Sequence, residues 1–363
     1  MKSKIVIGPL TVNLLIVVVL VVVLFLLNGC QTKPELRELA ETYYNLGNAY
    51  IELEQWEKAE TAYARSLEIE PDMYRAEYNL AKVHIYSGNY SDAERVLEKL
   101  LEKDPENIIF LETLAWSKLH RGLTQQAEVM YRSLLERDPA NCNVRYNLAL
   151  LLVDREEYAE AYSILLECVH FDNADAEVLL EIGLIEQKLE WGSGAAWFEK
   201  AAEKKPQNEK ILTELAAALK EEEDFTEALD VYRRLSRNAE ENKGAKFLFE
   251  QARLLLEKLE ETEEAYTALT SALEEGFSDT DRLSDLYMYV EERENFDLLY
   301  DLEDLLRQFE LIEAVTERAE QKKQNETQSE TESETQSEPQ SETKSESQSE
   351  VRSRMPLPHG TPA

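Results

Sequence analysis

The stretch AETYYNLGNAYIELEQWEKAETAYARSLEIEPDM, residues 40–73, carries a pattern that returns at a step of 34 residues. Leu46 comes back as Leu80, Leu114, Leu148 and Ile182; Gly47 as Ala81, Ala115, Ala149 and Gly183; Ala59 as Ala93, Ala127, Ala161 and Ala195. Pro71, Pro105 and Pro139 close successive units. A period of this length marks stacked supersecondary units, each too small to bury its apolar face alone.

Within the unit, Tyr43, Leu46, Gly47 and Tyr50 fall on one face of a first helix, and Ala59, Tyr63 and Ser66 on one face of a second. A small residue at the eighth position lets the two helices approach closely, the invariant Ala at the twentieth sits where they cross, and Tyr63, Leu97, Tyr131 and Leu165 fill the space between repeats. Proline cannot continue a helix, so Pro71 ends the second helix and starts the next repeat. Agreement at several positions over at least four copies in phase resembles the tetratricopeptide repeat (TPR). Tyr43 stands where that family prefers Trp, and Glu77 and Arg145 hold the place in later copies. The resemblance implies an all-α fold: a right-handed superhelical solenoid of antiparallel helix pairs, with about seven repeats and a C-terminal helical cap.

Four regular repeats run to about Asp175. The fifth is distorted, with Trp191-Gly192-Ser193-Gly194 in its turn and Phe198 and Pro206 one residue early. The sixth recovers the register through Leu212, Leu215, Ala216, Ala228 and Tyr232, and a weaker seventh places Phe249, Ala252, Ala265, Leu269 and Ala272. Arg282 to Phe309 keeps apolar periodicity without the signature and is the candidate cap, since a solenoid end needs one. The domains are therefore residues 1–29, signal peptide or membrane anchor; 30–39, tether and lead-in helix; 40–310, repeat solenoid; 311–363, helix end and disordered tail. From about Lys322 the chain has almost no apolar residue to bury among Glu, Ser, Thr and Gln, so ordering it is not compensated.

At the other end, Lys2 and Lys4 precede the apolar run Leu14 to Leu27, followed by Asn28-Gly29-Cys30. A basic start, an apolar core and small residues at the end describe a secretory signal. Leu27, Gly29 and Cys30 further resemble a bacterial lipobox, which implies acylation of Cys30; Asn28 departs from that pattern. The alternative is an uncleaved transmembrane helix over Ile5 to Leu27. Lys2 and Lys4 on one side nearly balance Lys33 and Arg37 on the other, and the signal-like layout favours export of everything after Cys30; with the lipobox resemblance, the expectation is repeats outside the cytoplasm, anchored to a membrane of a bacterial cell envelope.

A net charge of −35 over 363 residues argues against nucleic acid and against an anionic membrane face as partners. No catalytic or metal-binding pattern is present: His84, His120, His170 and His359 are scattered, and Gly192-Ser193-Gly194 lacks the strand and lysine of a phosphate loop. No cofactor is expected, and the chain is not expected to be an enzyme. Beyond Cys30, the thiols Cys142 and Cys168 take the first and twenty-seventh positions of one repeat, both toward the open end of its hairpin. A disulfide is one option in an exported protein; the favoured one is a buried thiol packing as a small hydrophobe.

The family resemblance implies a protein or peptide partner held on a concave wall of first helices, at positions two, five, six, nine, twelve and thirteen. Here the wall takes Tyr44, Asn45 and Asn48; Tyr78, Asn79, Lys82 and Tyr86; Trp116 and His120; Tyr146 and Asn147. Aromatic rings give contact area with few rotors to freeze, and Asn can hold an extended backbone. Tyr78 and Trp116 are the expected anchors. A clamp for a terminal carboxylate of the kind some TPR domains carry is not expected: Asn48 and Asn79 match its asparagines, but Tyr44 replaces its first lysine and Glu112 and Thr113 supply no cation. The nearest analogy is with TPR lipoproteins that support pilus or outer-membrane-protein assembly; the alternatives are a structural spacer and a regulatory subunit of an envelope enzyme complex.

Overall fold

The computed structural model describes residues 34–240 and 243–333, with side chains over 35–325. Among the described residues there are seventeen α-helices and one π-turn, and no strand. Two compact units divide at Pro139 and Ala140. The first holds three helix pairs: α1 (Pro34–Glu52) with α2 (Trp56–Ile69), α3 (Tyr74–Tyr86) with α4 (Tyr90–Lys103), and α5 (Ile108–His120) with α6 (Thr124–Arg137). Each helix packs on the next in the chain, the pattern of a solenoid.

The local causes are readable in the repeat. Each first helix ends in a left-handed residue: Glu54 at φ 54°, Gly88 at 74° and Gly122 at 87°. The amide after it reaches back five residues, Gln55 N–H to Tyr50 O at 2.9 Å and Asn89 N–H to His84 O at 2.7 Å, closing the orphan carbonyls of the helix end. The repeat proline lies in the turn between repeats, and the helix start itself is set two residues later: Asn107 and Asn141 accept from the amides of Phe110 and Val144.

The eighth and twenty-fourth positions meet inside the hairpin. A Cβ at Gly47 would stand 2.6 Å from Tyr63 Cε1, and one at Gly183 2.4 Å from Phe198 Cε1. Tyr63 therefore packs chiefly over its own repeat's first helix. Glu77, at the Trp position of the second repeat, is buried and answered by its own hairpin partner, with Lys99 Nζ at 2.5 Å and Lys103 Nζ at 3.6 Å. Glu94 is likewise buried, against Lys118 at 3.2 Å and Arg121 at 3.0 Å.

The second unit continues the pairs with α7 (Cys142–Asp154), α8 (Tyr158–His170), α9 (Ala176–Lys188), α10 (Ala195–Lys204), α11 (Glu209–Glu221), α12 (Phe225–Asn238), α13 (Ala245–Leu254) and α14 (Thr262–Glu274). Cys142 and Cys168 are joined by a disulfide, Cα–Cα 5.4 Å, between the start of α7 and the end of α8. This corrects the expectation of a free buried thiol: the first and twenty-seventh positions meet at the open end closely enough to bond. The seventh repeat spaces its small residues by one more than the others, Ala252 to Ala265 against Gly47 to Ala59. The extra residue is absorbed by the π-turn Leu255–Leu259, before a left-handed Glu260.

The candidate cap is a further pair, α15 (Thr280–Glu292) and α16 (Phe296–Gln308), covered by α17 (Ile312–Ser333). Val315 and Ala319 of α17 are buried, Val315 in one cluster with Leu283, Leu286 and Leu305. The helix continues past Lys322, where the composition changes, because Lys322 and Lys323 pair with Asp285 at 2.6 Å and Glu291 at 2.5 Å. The N-terminal segment with Cys30 and most of the tail lie outside the described residues.

Candidate functional site

Position five of the first helix is not an open position. Tyr78 is 1% exposed, packs on Phe110 at 5.4 Å between ring centroids, and shares a 3.0 Å hydrogen bond with the Thr113 hydroxyl. Phe110 and Thr113 belong to α5, so this residue type joins consecutive first helices. Tyr44 is also buried, though less deeply at 8% exposed, with the Arg75 guanidinium over its ring at 4.9 Å. Trp116 is also buried, under His120, whose ring stacks on it at 3.5 Å, and beside Tyr90 at 6.3 Å. The expectation that Tyr78 and Trp116 stand out as anchors is therefore corrected: the next repeat covers the first, and its own helix's histidine covers the second. In the second unit, Tyr146 and Asn147 are buried within α7.

The asparagines also serve the fold. Asn79 Nδ2 donates to Asn48 Oδ1 at 2.9 Å, and Tyr63 OH donates to the same oxygen at 2.6 Å. These bonds tie the first repeat to the second and hold both amides in one orientation. Burial of Tyr63 raises its hydroxyl's pKa, keeping it a neutral donor.

What remains open on this face is Asn45, Lys82 and Tyr86, with His120 half-buried. Tyr86 is 41% exposed and stacks on Trp56 at 4.8 Å; one repeat on, His120 lies 5.8 Å from Tyr90. Both rungs join the first residue of a second helix to position thirteen of the next first helix, so aromatic rings recur along this edge at the repeat step. Trp56 and Tyr90, which complete the rungs, are not on the wall list and were missed because they begin second helices.

Lys82 lies on the same helix, three residues after Asn79 and one turn before Tyr86. It is half-buried, burial lowers its pKa from the ordinary lysine value, and among the described residues it has no carboxylate partner. The other semi-buried cations of this unit are answered: Lys118 by Glu94 at 3.2 Å and Arg75 by Glu41 at 2.7 Å. In a chain with 74 acidic residues, a half-buried ammonium without a carboxylate is a place for an incoming acceptor.

The second unit has a different surface at the corresponding positions. Lys220 meets Glu250 at 3.4 Å, Arg253 meets Glu257 at 3.2 Å, and Arg282 also binds Glu250. Lys220 and Arg253 line a recess together with the exposed Lys258, whose ammonium lies 5.4 Å from the Phe225 ring centroid. Among the described residues no group of three or more His, Cys, Asp or Glu is placed to hold a metal ion, and no helix is long and apolar enough to cross a membrane.

Comparisons with known proteins agree with this architecture. A family model described as tetratricopeptide repeat matches residues 50–115. The C-terminal part of a TPR repeat-containing protein from Cytophaga hutchinsonii superposes with a TM-score of 0.50 at 13% identity, covering 64% of this chain and 99% of that one. A tetratricopeptide repeat protein from Parabacteroides merdae gives 0.44 at 16% identity, covering 73% and 99%; YrrB, a TPR protein with an unusual peptide-binding site, gives 0.43 at 19%, covering 50% and 92%. No curated protein matches the sequence. The matched segment, residues 50–115, is thus similar to the tetratricopeptide repeat, and the 34-residue register and the packed helix pairs of the chain share that repeat's fold.

Proposed function

We propose that this protein is a non-catalytic binding scaffold that holds a protein partner, as an extended peptide or a helix, on the first-helix face of its first three repeats. The observation that carries the reading is Lys82, a half-buried ammonium without a carboxylate among the described residues, flanked by the exposed Tyr86. The partner's contribution is a carboxylate for Lys82 and apolar groups for the Trp56–Tyr86 and Tyr90–His120 rings. Asn45 supplies an adaptable polar contact at the rim.

We further propose that the repeats are exported and held at a membrane of a bacterial envelope through the N-terminal segment, by lipid on Cys30 or by the apolar run itself, where the scaffold organises envelope complexes. The Cys142–Cys168 disulfide supports an oxidising compartment. Intact-mass analysis separates the two anchors: a chain beginning at Cys30 with added lipid supports the lipoprotein, and one retaining Met1 supports the helix.

Cross-linking in intact cells tests the scaffold. One dominant protein adduct, reduced at least tenfold in Lys82→Glu, is expected. Absence of any partner would favour a spacer, and an adduct indifferent to Lys82→Glu would place the partner elsewhere on the chain.

A further inference from the structure

The first helix extends its packing signature, Tyr43, Leu46 and Tyr50, into a longer apolar stripe, with Tyr50 partly packed on the repeat's own core. Leu36, Leu39, Tyr43, Leu46, Tyr50 and Leu53 follow spacings of three, four, three, four and three, an unbroken a/d heptad stripe along α1 and onto Leu53, the first residue past its end. Leu36 is 47%, Leu39 43%, Leu46 40% and Leu53 62% exposed. In the inner repeats the same register is covered. Leu80 packs on the core of the first repeat, Leu114 is buried, and Lys118 reaches Glu94 of α4. The stripe is thus the slot in which each inner repeat receives the preceding repeat's second helix, and α1 has no preceding repeat among the described residues.

We infer that this seam is a self-association surface, closed by α1 of a second copy of the chain. Charge selects that occupant. Between Leu39 and Tyr50 the only charged residue is Glu41, engaged with Arg75 at 2.7 Å, and the exposed flanking residues Thr42, Asn45 and Ala49 are neutral. A chain of net charge −35 repels its own copy over most of its surface and can meet it only along an uncharged strip; a basic partner would be drawn to the acidic faces instead. A two-fold contact is self-complementary, so one stripe serves both sides. The antiparallel arrangement sets Leu39 against Tyr50 and Tyr43 against Leu46, pairing each tyrosine with a leucine, whereas a parallel one stacks tyrosine on tyrosine; at its two ends, beyond the uncharged strip, Glu35 and Glu38 come toward Glu52 and Glu54, which confines the contact to this centre. A single helix pair is a small interface, of the weak, concentration-dependent kind; two copies tethered to one membrane meet at raised effective concentration.

Sedimentation velocity of the full chain in detergent, over a range of protein concentrations, tests the inference. The wild type is expected to pass from monomer to dimer, and Leu39→Glu/Leu46→Glu to raise the dimer dissociation constant at least tenfold with an unchanged helical circular dichroism spectrum, since both side chains are more than a third exposed. A wild type that stays monomeric throughout would overturn it. So would a dimer undiminished in the double variant, which would assign association to residues outside α1.

Discussion

Gly47 and Tyr63 occupy the same space: a Cβ on the first would lie 2.6 Å from the ring of the second. The helices of the first pair are set closer than a Cβ under this tyrosine allows, whereas the third repeat carries Ala115 and Tyr131 at the same two positions. Gly47→Ala is expected to destabilise the chain by about 1–3 kcal/mol through overpacking. Tyr63→Leu in the same chain recreates the Ala81 and Leu97 pairing of the second repeat and is expected to recover part of that loss. Denaturant titration of both single variants and the double variant measures the coupling; strictly additive effects would mean the two residues do not share the contact.

The turn after each first helix uses a left-handed residue, glycine in the second and third repeats and glutamate in the first. Gly88→Ala places a Cβ in that conformation at φ 74° and is expected to cost about 1 kcal/mol, although nothing lies within 4 Å of the added atom. Glu54→Gly at φ 54° is expected to be neutral or to stabilise by up to about 1 kcal/mol. Opposite signs for the pair in thermal melts isolate backbone conformation from packing.

The disulfide closes a segment with a sequence separation of 26 between Cys142 and Cys168. Chain-entropy arguments put its contribution at up to about 3–4 kcal/mol, an upper figure because the helix hairpin already restricts the segment. Reduction, or Cys142→Ser with Cys168→Ser, is expected to lower the denaturation midpoint. Denaturing alkylation without reductant is expected to leave both thiols unlabelled; two labels at Cys142 and Cys168 would contradict the bond.

Alkaline pH is expected to weaken the fold. Burial raises the Tyr78 hydroxyl to about 12, and the fully buried Tyr131 and the Tyr63 hydroxyl are raised for the same reason. An unfolded tyrosine loses its proton near pH 10, so between there and the raised folded value the unfolded state holds fewer protons and stability falls with rising pH. The contribution is fully present below pH 10 and declines by about 1.4 kcal/mol per pH unit for each such tyrosine. Tyr78→Phe is expected to flatten that decline between pH 10 and 12, read from urea midpoints at fixed ionic strength.

Small residues at positions eight and twenty were legible because close helix approach dictates their size, whatever surrounds the repeat. The extra residue between Ala252 and Ala265 was legible as a count, though the choice of a π-turn over a longer loop was not. Tyr78 was misplaced because a wall position in one repeat becomes core when the next first helix supplies Phe110 and Thr113, and period alone does not reveal that neighbour. Lys82 was among the wall residues, but its distinction from Lys118 rests on which carboxylates lie within reach, which depends on packing across repeats.

Site-specific photo-crosslinking tests the binding face most directly. A photoreactive side chain at Asn45 or Tyr86, on the open face, is compared in intact cells with one at Val129, 68% exposed on α6. One dominant adduct with a different protein, distinct in mass from a dimer of this chain, is expected from the first two positions and none from Val129, and it is expected to be lost when Lys82→Glu is added. Adducts of equal yield at Val129, or none at Asn45 and Tyr86, would contradict the proposed binding face.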